Sequence, residues 1–139
     1  MAPSYFIDTD VMLDLLLQRQ PFDRDSILIF ELALAEEIKL FCSSLILANV
    51  HFFIRKTYGK KKALLALEDL MSKCATLSVG EIEIRNAISS GFSDFEDAIQ
   101  FFTARTNPNI RGIITRNTSD YKYASLPIYS PDSFLSLFR

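Results

Sequence analysis

Short apolar runs alternate along the chain with longer stretches whose apolar residues recur at helical spacing. The first run, Tyr5-Phe6-Ile7, leads straight into Asp8-Thr9-Asp10, and Leu13, Leu16 and Leu17 follow with helical periodicity. An apolar run that passes through a polar turn into a helix is the pattern of a buried parallel strand. The pattern predicts a strand over 4–8 and a helix over about 10–18 that Gln20-Pro21 ends. A second helix is expected over 24–37, capped by Asp23 or Asp25, with Ile27, Phe30, Leu34 and Ile38 on one side. Lys39 to Cys42 is a second short strand. Ser43-Ser44 then offers an N-cap for an apolar helix over 45–58, and Gly59 is its stop. A helix from Lys60 to Lys73 should turn Leu64, Leu67, Leu70 and Met71 inward. Residues 75–79 form a third strand and 81–90 a short helix. Ser93-Asp94-Phe95-Glu96 has the spacing of a capping box and opens a helix to about Thr106. Asn107-Pro108-Asn109 is a turn. Residues 112–115 and 127–130 complete the strands, and Pro131 starts a last helix over 131–138. Strands alternating with helices throughout imply an α/β fold with a central, mostly parallel five-stranded sheet. No repeat or linker interrupts the pattern, so a single domain over 1–139 is expected.

Composition narrows the classes. Of 139 residues, 49% are hydrophobic and 23% charged, as in an ordinary globular protein. With Phe 12 and Trp 0, the core should be rich in phenylalanine, and Phe52, Phe53 and Tyr58 are assigned to it rather than to a partner surface. A formal net charge of −2 excludes a protein that grips duplex DNA mainly through charge. A local basic patch or a metal ion could still serve a nucleic acid. Arg55, Lys56, Lys60, Lys61 and Lys62 form the densest positive run, read as a solvated surface, and His51 as a packing residue. Cys42 and Cys74 lack zinc or redox spacing and read as buried free thiols. No apolar stretch approaches the ~20 residues that span a bilayer, and no N-terminal signal segment is seen. No membrane association and a cytoplasmic location are expected.

Polar residues gather where the strands end. Asp8 and Asp10 follow the first strand, Ser43 and Ser44 the second, and Thr115, Arg116, Asn117 and Asp120 the fourth. Asp94 and Asp97, three apart, share a helix face. In parallel sheets ligands sit at the carboxyl ends of the strands. Each acid has a plainer role: Asp8 as a cap, Asp94 and Asp97 as complements to a helix dipole, Asp120 as a turn residue. Together they would crowd like charges that a cation must neutralise. All-oxygen ligands suit Mg²⁺ or Mn²⁺. Such ions activate water and stabilise charge on a phosphodiester.

On these motifs the chain resembles the PIN-domain nucleases over nearly its whole length. Phe6-Ile7-Asp8-Thr9-Asp10-Val11 is similar to the family's opening strand with its first metal-binding acid. Ser93-Asp94-Phe95-Glu96-Asp97-Ala98 is similar to the motif of its third acid, Asp97 being the match and Asp94 an extra carboxylate of one branch. Ile113-Ile114-Thr115-Arg116-Asn117-Thr118-Ser119-Asp120-Tyr121 matches the segment after strand four. The second acid, usually a glutamate, falls on Asn49, and Asn117 stands where aspartate is common. An amide still offers a carbonyl oxygen but no charge. The resemblance implies a three-layer α/β/α fold and a divalent-metal-dependent endoribonuclease acting on single-stranded RNA. Asp8, Asp94, Asp97 and Asp120 would hold Mg²⁺ or Mn²⁺, and Ser43, Asn49, Thr115, Arg116 and Asn117 would orient water or phosphate. Arg116 is favoured over Arg19 as the phosphate contact. Asp94 would compensate for the charge missing at Asn49. The family's small members include toxins held by an antitoxin protein, and many form homodimers; both partners are implied.

Two rivals stand beside this. Asn49 and Asn117 motivate a PIN-like module without catalysis that binds RNA or protein. Asp8-Thr9-Asp10 also copies the opening of haloacid-dehalogenase phosphatases, which need an aspartate nucleophile and a later lysine.

Overall fold

The computed structural model describes residues 1–138. A five-stranded sheet, parallel at every pairing, runs in the order β3-β2-β1-β4-β5. Its strands are β1 (Ser4–Ile7), β2 (Lys39–Ser43), β3 (Cys74–Leu77), β4 (Ile110–Ile114) and β5 (Ile128–Tyr129). β1 lies at the centre, and every one of its residues is buried. Covered on both faces, it reads as a continuous apolar run instead of an alternating one. The chain first builds outward through β2 to β3, then returns to place β4 on the other side of β1. The reversal between β1 and β4 is the topological switch point where open α/β sheets bind ligands.

The helices are α1 (Thr9–Leu16), α2 (Asp23–Leu34), α3 (Ser44–Tyr58), α4 (Lys60–Lys73), α5 (Glu81–Ile88), α6 (Phe95–Ala104) and α7 (Pro131–Ser136). α1 to α4 and α7 touch one another in one layer, and α5 pairs with α6 in the other, where α6 packs on β2 and β4. This is the expected three-layer α/β/α arrangement. A 3-10 turn at Thr118–Tyr121, which the sequence pattern does not predict, closes the end of β4. Ser43 caps α3, as expected, by accepting the Ile46 N–H at 3.0 Å. Gly59, at φ 90°, both ends α3 and precedes α4. That is left-handed territory where a side chain would be strained.

Several local expectations are corrected. α2 has no side-chain cap; Asp23 and Asp25 lie in its first turn, where they complement the dipole. Its buried face is Ser26, Ile29 and Phe30, and Ile27 and Leu34 are exposed. The Ser26 hydroxyl donates to the Val11 carbonyl at 2.9 Å and so fixes which way the helix turns. α4 buries Ala63 and Leu70 and leaves Leu64 and Met71 exposed. The box expected from Ser93 and Glu96 does not form. Asp94 is the N-cap, and its Oδ1 accepts the Asp97 N–H at 2.9 Å. Phe52, Phe53 and Tyr58, assigned to the core, are exposed.

Cys42 and Cys74 are buried free thiols on neighbouring strands. Burial pushes the Cys42 thiol up to about 11 and Cys74 upward as well, so neither is a reactive thiolate. Among the described residues no helix is long and apolar enough to cross a membrane.

Candidate active site

Asp8 begins the site because β1 ends one residue before it. Its N–H completes the ladder to the Ile114 carbonyl at 3.0 Å, and its side chain is almost wholly buried. The two carboxylate oxygens have separate partners. Oδ1 accepts the Thr9 N–H at 2.8 Å and caps α1. Oδ2 accepts the Thr115 hydroxyl at 2.9 Å and lies 3.1 Å from the Tyr121 hydroxyl. That same hydroxyl is 3.4 Å from Asp97 Oδ1. Two acids far apart in the sequence therefore stand within the span of two hydrogen bonds.

Around them is a cavity of about 470 Å³, lined also by Asp10, Asp94, Glu96 and Asp120, by the amides Asn49, Gln100 and Asn117, and by Arg19, Phe52 and Phe53. The charge crowding shows in the acids. Burial, aided by the charges of Asp8, Asp94 and Asp120, pushes the Asp97 carboxyl up to about 7. Burial and the Asp8 charge push Asp10 up to about 6 against the pull of Arg116. Asp8 is also raised, by burial above all, although Thr9, Thr115 and Tyr121 hydrogen-bond its charged form. Burial beside Asp8 and Asp97 raises the Tyr121 phenol, which stays a proton donor.

The donor set is all oxygen and strongly anionic, which suits a hard divalent cation such as Mg²⁺ or Mn²⁺. Asp10 supports the fit: its Oδ1 is buried without a hydrogen-bond partner. Among the described residues no three carboxylate, imidazole or thiolate groups already stand at closed metal-site spacing. A cation would have to draw the acids inward, and the Tyr121 hydroxyl now occupies the space between two of them.

The expected metal ligands Asp8, Asp94, Asp97 and Asp120 all line the cavity, as do Asn49 and Asn117. Three other expectations are corrected. Thr115 is fully buried, and its hydroxyl is spent on Asp8. Ser43 is fully buried; it caps α3 and donates to Gln100 Oε1 at 2.5 Å. Neither opens on the cavity. Arg116, expected at the phosphate, turns away: Nε and Nη2 grip the buried Asp14 at 2.6 and 3.0 Å, and the guanidinium lies 4.0 Å over the Phe22 ring. Arg19, the weaker candidate, is the arginine that lines the cavity. No lysine among the described residues lines it, so the phosphatase alternative lacks its lysine.

Gln100 and Tyr121 were missed. Gln100 lies three residues after Asp97 on α6, a spacing that puts both on one face. Tyr121 directly follows Asp120, but nothing in the pattern says that its ring turns under the site. The Asp14–Arg116 pair left no signal at all.

Comparison with known proteins bears on the family and the fold. Ribonuclease VapC1 from Aquifex aeolicus is 27% identical over 109 residues, which is 75% of each chain. Among solved structures, a toxin–antitoxin complex from Klebsiella pneumoniae matches 91% of this chain and 97% of its own with a TM-score of 0.67 at 21% identity. The DNA-bound VapBC of Salmonella typhimurium matches 94% and 99% with a TM-score of 0.68 at 13% identity. VapC20 of Mycobacterium tuberculosis, a sarcin–ricin loop cleaving toxin, matches 95% and 94% with a TM-score of 0.62 at 15% identity. The PIN domain family model matches residues 4–119, from the first residue of β1 into the 3-10 turn beside the acids, and the chain belongs to the PIN-domain family.

Proposed function

We propose that this chain is a divalent-metal-dependent endoribonuclease that hydrolyses phosphodiester bonds in single-stranded RNA, and that it is the toxin of a toxin–antitoxin pair. The observation that carries the reading is the approach of Asp8 to Asp97 in an acid-lined cavity at the switch point of the sheet. VapC1, the relative at 27% identity, is a ribonuclease. One structural neighbour is a toxin–antitoxin complex and another is a toxin. An antitoxin protein and a second copy of this chain are the partners proposed.

Asp8 and Asp97 would hold the ion, with Asp94 and Asp120 bound directly or through water. When bound, Mg²⁺ or Mn²⁺ lowers the pKa of a coordinated water and neutralises charge developing on the phosphoryl oxygens. The residues of the chain supply orientation. Thr115 and Thr9 fix the Asp8 carboxylate by hydrogen bonds from two directions. Asn117 and Asn49 can hold water or a phosphate oxygen without adding charge. Arg19 is the cation at hand for the phosphate that enters.

The test is cleavage of unstructured and structured RNA with Mg²⁺, with Mn²⁺ and with a chelator. Asp8→Asn and Asp97→Asn should each abolish metal-dependent cleavage without unfolding the chain. Unchanged cleavage by both refutes the assignment. The amides at Asn49 and Asn117 favour a second reading, a PIN-like module without catalysis that binds RNA or protein. Calorimetric titration with Mn²⁺ separates the two, since that module shows no binding that depends on Asp8 and Asp97.

A further inference from the structure

Four residues of α3 fall at positions 49, 52, 53 and 56, the spacing that places side chains on one face of a helix. Asn49 lines the acid cavity, and so do Phe52 and Phe53. Both rings are exposed, Phe52 by 59% and Phe53 by 39%, although chain folding usually hides phenylalanine. They are not loose. Their centroids are 5.4 Å apart at an interplanar angle of 82°, an edge-to-face pair that holds each ring in place. Beyond them the Lys56 ammonium sits 5.7 Å over the Phe52 ring. The face thus runs in order from a polar amide among the acids, to two bare aromatic rings, to a cation.

On the nuclease reading above, on which this inference rests, we infer that Phe52 and Phe53 form a nucleobase subsite. Phe52 stacks an unpaired base next to the cleaved phosphate, and the Lys56 ammonium swings off the ring to meet the next phosphate of the same strand. The order amide, ring, cation repeats the order of a nucleotide chain, in which phosphates flank each base. A base within a duplex has no free face to offer, whereas an unpaired base stacks on an aromatic ring whatever its identity. The platform therefore selects single strands with little sequence preference. A purely apolar partner would gain nothing from the cation above the ring or from the acids at its foot.

The chain has Trp 0, so Phe52→Trp installs a unique fluorescent reporter. The experiment titrates full-length F52W, carrying Asp97→Asn to prevent cleavage, with a short single-stranded RNA, with the same RNA lacking its bases at successive positions, and with a duplex. The expected result is saturable quenching by the single strand, lost when one particular base is removed and absent with the duplex. In parallel, Phe52→Ala should weaken single-strand affinity about ten- to a hundredfold, the usual effect of losing one base–aromatic stack. If RNA binds without quenching and F52A binds as tightly as the parent, the inference is overturned while cleavage that depends on Asp97 leaves the nuclease reading standing. If F52A instead lowers the mass of the particle in solution and leaves RNA affinity unchanged, the face joins two copies of the chain, and the inference is likewise overturned. Absence of any RNA binding or cleavage removes both.

Discussion

The substitution Asp97→Asn should make the metal-free protein more stable while destroying its activity. In the folded chain the Asp97 carboxyl is pushed up to about 7 from an ordinary 3.8. The folded state then holds its proton more tightly than the unfolded state between those values. Stability consequently falls as pH rises through that window and is lowest above pH 7. The full shift corresponds to ~4 kcal/mol. The carboxylate is partly open to water, and screening reduces this to about 2 kcal/mol. Asparagine keeps an acceptor for the Tyr121 hydroxyl and has no charge to lose. At pH 8 the variant should be about 2 kcal/mol more stable, roughly 6 °C in Tm. The gain should shrink to nothing near pH 4. Urea unfolding followed by circular dichroism, without divalent ions, measures it. Mn²⁺ should reverse the order. At a hundred times its dissociation constant an ion adds ~2.7 kcal/mol to the parent chain and little to a variant that has lost a ligand. A variant less stable than the parent at pH 8, or no reversal with Mn²⁺, would refute the view that these acids are gathered for a cation.

Other consequences follow from single contacts. Arg116→Ala leaves the fully buried Asp14 with the longer Arg19 contact at 3.8 Å in place of its two-pronged partner, and urea unfolding should show a loss of about 2–3 kcal/mol. RNA affinity should stay within about twofold below the melting temperature; affinity lost with stability intact would restore Arg116 as a phosphate contact. Tyr121→Phe keeps the ring, which packs 6.2 Å from Phe92, but removes the donor between Asp8 and Asp97. A loss of about 1–2 kcal/mol is expected in metal-free unfolding, and a gain in stability would show that the hydroxyl is no real bridge. Gly112→Ala would set a Cβ 2.8 Å from both the Pro127 carbonyl and the Tyr129 ring. Unfolding should report about 1–3 kcal/mol of strain; a neutral result would mean that β5 can give way. Apparent Mn²⁺ affinity by calorimetry should rise with pH up to about 7, as Asp10 and Asp97 lose their protons. A flat profile would exclude these acids as ligands.

The sheet was legible because its strands are buried on both faces. Tyr5-Phe6-Ile7 and Ile113-Ile114 are apolar runs bounded by polar residues, and their shortness and their aromatic and β-branched residues mark them as strands. Helix faces were less legible. In α2, Ile27 and Leu34 are as apolar as Ile29 and Phe30, so hydrophobicity alone could not choose between the two faces. The choice rests on the Ser26 hydroxyl meeting the Val11 carbonyl, a contact between segments that no local pattern encodes. The acids were legible because a short strand end and a helix start fix where an adjacent side chain points. Long side chains were not. Arg116 sits beside Thr115 in sequence, yet its guanidinium reaches across to Asp14, and a chain of rotatable side-chain bonds separates that destination from its Cα. Phe52 and Phe53 failed for the opposite reason: burial was inferred from residue type, which predicts the average phenylalanine and misses one retained on the surface.

Asp8 shows why capping and metal binding need not compete. A carboxylate has two oxygens, and here they face different ways. Oδ1 takes the Thr9 N–H and starts α1. Oδ2 faces Thr115 and Tyr121 at the cavity. The cap fixes the side-chain torsions, so the second oxygen arrives at the site already oriented. Asp94 repeats the device on the other layer, where one oxygen caps α6 through the Asp97 N–H. That bond ties the start of α6, and with it the Asp97 backbone, to the same acid cluster. Both α-helices that bring acid to the cavity, α1 and α6, thus begin on a member of that cluster. The burial and charge repulsion that lift Asp97 and Asp10 fall on groups whose orientation the helix starts already require. Replacing Asp8 by asparagine, itself a good cap, should separate the two duties: α1 should stay formed while divalent binding is lost. If Asp8→Asn frayed α1, as read by hydrogen exchange at Leu13, or left Mn²⁺ affinity unchanged, this division of labour between the two oxygens would be wrong.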